Sequence, residues 1–132
     1  MADVDHRAKR PLSPHLQIYS PMLTMMMSIV HRLTGIALYA GTLLLAYWLL
    51  SLVSGEAAYT DAREIFGSFF GRLVLFGYTW ALIHHMFGGI RHFIWDTGRG
   101  LEPDDRELLV KLGLIGSIVV TIVIWCIGYY VV

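Results

Sequence analysis

The chain has 132 residues, a length typical of a single domain, and 56% of its residues are hydrophobic. That share is above the level of soluble proteins and predicts an integral membrane protein. Ten basic and ten acidic residues give a formal net charge of zero, so the charge balance gives no indication of a nucleic-acid partner. The single cysteine, Cys126, excludes an internal disulfide and a cysteine framework for iron–sulfur clusters.

Residues 1–23 are predicted to form a polar arm on the membrane surface, ahead of the first helix. The arm has no apolar stretch of the kind found in signal peptides, so we expect no cleavable signal. Its prolines prevent a continuous helix, and its basic residues favour the cytoplasmic side of the membrane. These residues are Arg7, Lys9, Arg10, Pro11, Pro14 and Pro21.

Three apolar runs follow the arm and predict an all-α transmembrane domain over residues 24–132. The first run, from Leu33 to Val53, holds 21 uncharged residues. At about 1.5 Å per residue, this run spans a hydrocarbon core of roughly 30 Å. We expect its helix to begin one or two turns earlier and to cover residues 24–53.

The second and third predicted helices cover residues 62–95 and 106–132. The uncharged part of the second helix is flanked by Arg72 and Arg91, whose long side chains can reach the two membrane interfaces. Further basic residues lie in the loop between the second and third helices, as they do in the arm. The positive-inside rule therefore predicts that the N-terminus and this loop lie on the cytoplasmic side.

The stretch from Trp80 to Asp96, WALIHHMFGGIRHFIWD, places three histidines and an arginine in or beside the second apolar run. Ionisable side chains are costly in hydrocarbon and usually functional. His85 is our candidate for the central residue, because an imidazole can bind a metal through one nitrogen while the other donates a hydrogen bond. Gly88 and Gly89 are expected to leave room for a flat group. From the residues alone, His85 is either a metal ligand or a histidine that hydrogen-bonds a neighbouring helix.

Ser28 and Arg32 lie one helical turn apart near the predicted inner end of the first helix. Their hydroxyl and guanidinium groups lie at about the depth of His92, so the first two helices could form one polar site. An arginine at this depth could also simply extend its side chain to the interface. His84 points about 100° away from His85 and is predicted to pack between helices.

Three motifs, RPLSPHLQIYSP, SIVHRLTG and HHMFGGIRHFIWD, occur in the same order as in the cytochrome b membrane-anchor subunits of succinate dehydrogenase, which the chain resembles. The resemblance covers nearly the whole chain. It implies three transmembrane helices with the N-terminus inside, packed in a larger helical bundle with a second anchor subunit. It also implies one b-type haem shared with that subunit, and ubiquinone as the substrate.

The resemblance implies roles for individual residues where the motifs match. In the H-x-x-x-G-I-R-H pattern, the first histidine is an axial ligand of the haem iron, and this position is His85; the second ligand comes from the other anchor subunit. In the S-I-x-H-R pattern, Ser28 and Arg32 border the quinone site. His31 is similar to the family's residue near the haem propionates, and the charge of Arg32 is expected to help neutralise these anionic groups. No residue of this chain is implied to be catalytic.

The neighbours of His85 are less well defined by the resemblance. Arg91 and His92 are either interfacial residues or further contacts to a propionate, and we include His92 in the predicted haem-binding set. His84 could compete as the iron ligand, although the spacing to the G-I-R-H element favours His85.

The resemblance implies that this chain is not catalytic alone and needs an iron–sulfur subunit, a flavoprotein subunit and a second anchor subunit, embedded in membrane lipids. The expected location is a bacterial inner membrane, with the mitochondrial inner membrane as the less favoured choice. Two alternatives stay open. One is the anchor of a menaquinol:fumarate reductase, and the other is a haem-free membrane scaffold or proton-relay protein.

Overall fold

The computed structural model describes residues 18–131, which form four helices. These are α1 (Leu23–Val53), α2 (Glu56–Gly67), α3 (Phe69–Asp96) and α4 (Pro103–Val131). No strand occurs in this part of the chain, which confirms the predicted all-α class. Residues 1–17 of the predicted arm lie outside the described residues.

Helices α1, α3 and α4 are each long and apolar enough to cross a membrane, which confirms the prediction of three transmembrane helices. They contain 31, 28 and 29 residues. At about 1.5 Å per residue, each is longer than the roughly 30 Å hydrocarbon core. Large apolar side chains are exposed along all three helices, as expected for surfaces that contact lipid or other membrane helices.

The segment predicted as one helix over residues 62–95 consists of two helices that meet at Ser68. Ser68 has an extended backbone (φ −64°, ψ 162°), and its hydroxyl accepts a hydrogen bond from the Gly71 backbone N–H at 3.1 Å. A serine in this position caps the start of a new helix. Gly71 suits the junction because a Cβ there would overlap the backbone of Ile65 and Phe66 at the end of α2.

Helix α2 is a surface helix that covers the C-terminal end of α1 and contacts the start of α3. Its Ala62 is fully buried. Tyr59 and Phe66 pack edge-on against Trp48 of α1. Their ring centroids lie 5.5 and 5.7 Å, respectively, from the centroid of the Trp48 ring. These contacts place α2 across the end of the bundle that is opposite to Arg32 and His92.

Helix α3 lies between α1 and α4 and contacts both, while α1 and α4 also touch each other. Small residues permit the close approach: Gly41 of α1 lies against the ring of Tyr78, where a Cβ would overlap. On the other side, Phe87 packs within van der Waals distance of Gly116 on α4. Such small residues are common at helix interfaces in membranes, where packing replaces the hydrophobic effect as the driving force.

The loop between α3 and α4 turns at Gly98 and Gly100, which have φ values of +75° and +69°. Glycine adopts this left-handed conformation at little cost. The Trp95 indole N–H donates to the backbone oxygen of Gly100 at 3.0 Å and ties the loop to the end of α3. Helix α4 begins at Pro103, three residues before the predicted start, because proline is favoured in the first turn of a helix.

Candidate functional site

His85 of α3 faces α1, where its ring stacks on the ring of His31. The two ring centroids are 4.0 Å apart and the rings are tilted by only 8°. His85 Nδ1 lies 3.2 Å from the backbone oxygen of His31 and 3.3 Å from Thr34 Oγ1. Thr34 donates its own hydroxyl proton to the same backbone oxygen at 2.9 Å. The ring of His85 is therefore held in place by two groups of α1.

These contacts assign the tautomer of His85. A backbone carbonyl can only accept a hydrogen bond, and the Thr34 hydroxyl has already donated its single proton to His31. Both contacts therefore require the proton on His85 Nδ1. The lone pair then lies on Nε2, which makes no hydrogen bond within residues 18–131, and this is the arrangement typical of a metal-binding imidazole.

The glycine pair beside His85 has a different role from the one expected. A Cβ at Gly88 would overlap the His31 ring, so His31 fills the space that was predicted to be open. A Cβ at Gly89 would meet no atom within 4 Å. Only Gly89 therefore leaves open space beside the helix, whereas Gly88 allows His31 to approach α3 and stack on His85.

We expect Gly88→Ala to destabilise the chain in detergent, because the added methyl group displaces His31 and forces a shift in packing that typically costs about 1–3 kcal/mol. Gly128→Ala is the matched control: it makes the same chemical change in a transmembrane helix, α4, in open space and away from His85, and should stay near the stability of the unchanged protein. Thermal unfolding of the two purified variants measures the difference. Equal stabilities would contradict the close packing of His31 on Gly88.

His84 lies on another face of α3 and does not join the stacked histidines. Its side chain is buried against α4, with Nδ1 3.2 Å from Ser117 Oγ and its ring stacked on Trp80 at 5.1 Å between centroids. Ser117 donates its proton to the backbone oxygen of Leu114, so it accepts the hydrogen bond from His84. The structure therefore places His84 in helix packing, as predicted.

His92 and Arg91 lie near the C-terminal end of α3, close to His31. The exposed His92 ring has its centroid 5.7 Å from that of His31 and contacts Trp95 edge-on. Arg91 is 6% exposed, and its guanidinium carbon lies 5.3 Å from the centroid of the Trp95 ring. A basic cluster is thus formed by side chains of α1 and α3 at one end of the bundle.

Ser28 and Arg32 lie at the same end of the bundle but form no hydrogen bond with the stacked histidines. Both are exposed, and neither side chain has a hydrogen bond or ion pair with another residue in the described range. Their donors are therefore available to a ligand or to a partner chain. Within the same range, no group of three or more His, Cys, Asp or Glu side chains is arranged to hold a bare metal ion.

Sequence reasoning missed two hydroxyl residues that position the histidines. Thr34 bridges α1 to His85, and Ser117 binds His84. Both hydroxyls also donate hydrogen bonds to backbone carbonyls of their own helices, as serine and threonine side chains in helices often do. That local pattern gives no indication of a partner on a different helix, so the sequence contains no signal from which either contact could have been found.

Comparison with known proteins matches residues 6–124 to the family described as succinate dehydrogenase/fumarate reductase transmembrane subunit. The succinate dehydrogenase cytochrome b556 subunit of Paracoccus denitrificans is 40% identical over 92% of this chain and 93% of its own length. The b556 subunit of Rickettsia conorii is 32% identical over 89% of this chain and 91% of its own length. The human mitochondrial cytochrome b560 subunit is 41% identical over 72% of this chain and 57% of its own length. With a family match over most of its length, and with helices that support three membrane spans, this chain belongs to the succinate dehydrogenase/fumarate reductase transmembrane subunit family.

Proposed function

We propose that this chain is the membrane-anchoring cytochrome b subunit of a succinate:ubiquinone oxidoreductase, and that His85 is an axial ligand of its b-type haem. The observation that carries the proposal is the hydrogen bonding of His85, which keeps the proton on Nδ1 and leaves Nε2 unbonded. A backbone carbonyl is a frequent partner for the second nitrogen of a metal-binding histidine. The names of the relatives, all succinate dehydrogenase cytochrome b subunits, favour this function over a fumarate reductase anchor.

The residues around His85 fit a haem in two further respects. The open space at Gly89 lies one turn after His85 on the same helix. The cationic Arg32 and the imidazole of His31 lie toward the end of the bundle where His92 is exposed, and these groups suit the anionic propionates. A haem held there by His85 would supply one-electron transfer.

In this proposal, another chain would supply the second ligand of the haem iron. His31 is stacked face to face on His85, and parallel stacked rings cannot bind one iron from opposite sides. His84 is buried on another face of α3 and bonded to Ser117. An exposed groove lined by small residues runs between α1 and α3 and has a volume of about 350 Å³; its lining includes Ala37, Ala40 and Gly77. Such a surface suits a helix of the second anchor subunit.

Ser28 and Arg32 are proposed to bind the quinone. The serine hydroxyl donates a hydrogen bond to a quinone oxygen, and the guanidinium stabilises the negative charge that this oxygen gains as electrons arrive. Both side chains are exposed and without partners in the described part of the chain. With the positive-inside orientation, the site would open toward the cytoplasmic face, where protons and a peripheral iron–sulfur subunit are available.

The proposal requires partners, because one cysteine cannot supply an iron–sulfur ligand set in this chain. An iron–sulfur subunit and a flavoprotein subunit would oxidise succinate and deliver electrons, while this chain holds the assembly at the bilayer. The three membrane-spanning helices, together with the bacterial relatives, support a multi-pass protein of a bacterial inner membrane.

A spectrum of the intact complex tests the function. We expect an affinity-tagged chain, purified from membranes in mild detergent, to bring with it a second small membrane subunit and two larger subunits. The reduced-minus-oxidised difference spectrum should show the absorption bands of a low-spin, bis-imidazole b-type haem. The sample should also reduce ubiquinone with electrons from succinate. A preparation that carries its partners but no haem would favour the scaffold alternative and contradict the proposal.

A further inference from the structure

We propose that the Thr34 hydroxyl tunes the haem through His85, by fixing the orientation of the His85 ring and by increasing the electron density that Nε2 presents to the iron. This inference rests on the proposed function. Residues of α1 contact the His85 ring on three sides, and one of these contacts is the Thr34 hydroxyl. Thr34 acts through His85 and is therefore a positioning residue.

The three contacts with α1 limit the rotation of the His85 ring. One face of the ring is stacked on His31, with the two centroids 4.0 Å apart. At the edge of the ring, Nδ1 lies 3.3 Å from Thr34 Oγ1 and 3.2 Å from the backbone oxygen of His31. The neighbouring atom Cε1 is close to Gly35, where an added Cβ would lie only 3.1 Å away. The orientation of the ring plane is therefore set by α1 before any group binds to Nε2.

The Thr34 side chain is buried, and its hydroxyl takes part in two hydrogen bonds. It donates its proton to the backbone oxygen of His31 at 2.9 Å, and its oxygen accepts from His85 Nδ1. A hydroxyl that donates one hydrogen bond becomes a better acceptor for another, because linked hydrogen bonds polarise one another. The His31 oxygen has two lone pairs and accepts from both side chains. The Nδ1 proton of His85 is therefore shared between two oxygen acceptors.

Two acceptors on the Nδ1 proton affect the other nitrogen of the same ring. Drawing this proton toward oxygen leaves more electron density on the imidazole, which makes Nε2 a stronger donor to a metal. A stronger nitrogen donor stabilises ferric iron relative to ferrous iron, and hydrogen bonding around an axial ligand is one means by which a protein sets a haem potential. Loss of the Thr34 oxygen should therefore raise the midpoint potential of a haem held by His85.

The same helix provides a threonine that has the local hydrogen bond alone. Thr42 donates to the backbone oxygen of Tyr39 at 2.6 Å, three residues earlier, as Thr34 does to His31. Thr42 is exposed, and its hydroxyl has no histidine partner within residues 18–131. It follows Thr34 by eight residues, which is about 12 Å along the helix. Thr42 is therefore a matched control for a change at Thr34.

The test compares Thr34→Val with Thr34→Ser in the intact complex, with Thr42→Val as the control. Valine has nearly the shape of threonine but lacks the oxygen, whereas serine keeps the oxygen and lacks the methyl group. Redox titration gives the haem midpoint potential, and the electron paramagnetic resonance spectrum of the oxidised haem reports the orientation of its axial rings. Repeated detergent washing gives the haem-to-protein ratio.

We expect Thr34→Val to raise the midpoint potential, to shift the resonance of the oxidised haem and to lose haem several-fold faster. Thr34→Ser and Thr42→Val should stay close to the unchanged complex. An unchanged or lower midpoint potential in Thr34→Val would overturn the proposal, whatever the haem retention. Equal shifts in Thr34→Val and Thr34→Ser would also overturn it, because the effect would then come from packing and not from the hydroxyl.

A second variant covers the case in which Thr34→Val does not assemble. Thr34→Ala removes the same oxygen without adding bulk, and is measured by the same criteria. If neither variant assembles, the hydroxyl is needed for folding of the chain, and the proposal is overturned. Absence of haem from the unchanged complex would instead contradict the proposed function, so the two failures are distinguishable.

Discussion

Replacing His85 with alanine is expected to remove the b-type haem signal from the purified complex almost entirely. The substitution takes away the Nε2 lone pair that would bind the iron, and neither of the imidazoles packed nearest to it, His31 and His84, is placed to replace it. His31 is stacked parallel to the His85 ring, and His84 points to α4. The measurement is the reduced-minus-oxidised spectrum of the complex, scaled to the amount of copurified flavin.

The control for this prediction is His84→Gln, which changes the adjacent residue. Glutamine keeps a polar side chain that can still donate to Ser117, so the packing of α3 on α4 should survive and the haem spectrum should be unchanged. The opposite result, with haem retained in His85→Ala and lost in His84→Gln, would transfer the ligand role to His84. It would also mean that the hydrogen bonds from Thr34 and His31 hold His85 for a purely structural reason.

Replacing Arg32 with alanine is expected to slow quinone reduction by about 100-fold, the typical effect of losing one charged donor at a developing oxyanion. Succinate oxidation with a soluble artificial acceptor should continue at the normal rate, because that reaction bypasses the membrane site. Ser28→Ala should cause a smaller loss of about tenfold, which corresponds to one hydrogen bond of roughly 1.4 kcal/mol. Steady-state assays with the two acceptors separate these effects.

Arg72→Ala is the matched control for Arg32→Ala, because it removes an exposed arginine near the opposite end of the bundle. It should leave both assays unchanged. If Arg32→Ala and Ser28→Ala also left quinone reduction unchanged, the quinone site would have to lie elsewhere. If both assays fell together in Arg32→Ala, the residue would be needed for assembly of the complex and not for quinone chemistry.

The transmembrane helices could be predicted from the sequence because the bilayer imposes a length and a polarity on each span. Helix α1 ends at Val53, the predicted residue, since the apolar run stops there and Ser54 and Gly55 follow. Helix α2 was not predicted as a separate helix, because its twelve residues are too polar to span a membrane and lie next to a longer apolar run. Its separation from α3 depends on the backbone of Ser68, and single serines occur throughout membrane helices.

The residues of the candidate site could be predicted from motifs, but their burial and their contacts could not. Motif matching selected His85, His31, His92, Ser28 and Arg32, and the structure brings the three histidines together while leaving Ser28 and Arg32 exposed at the same end. The burial of Arg91 could not be predicted, because an arginine that extends to the interface and a buried arginine have the same sequence pattern at the edge of an apolar run.

Three membrane spans, and the helix ends that carry ionisable residues, can be predicted from the amino-acid sequence, because hydrophobic length and charge are properties of each segment alone. The contact of His31 with Gly88, the hydrogen bonds that keep the proton on His85 Nδ1 and the contact of His84 with Ser117 are visible only in the packed structure. Those arrangements depend on how one helix is rotated against another. In a bilayer, the surrounding lipid is as apolar as the helix surfaces. The rotation of each helix is therefore determined by close packing and by a few hydrogen bonds between residues that are far apart in the sequence.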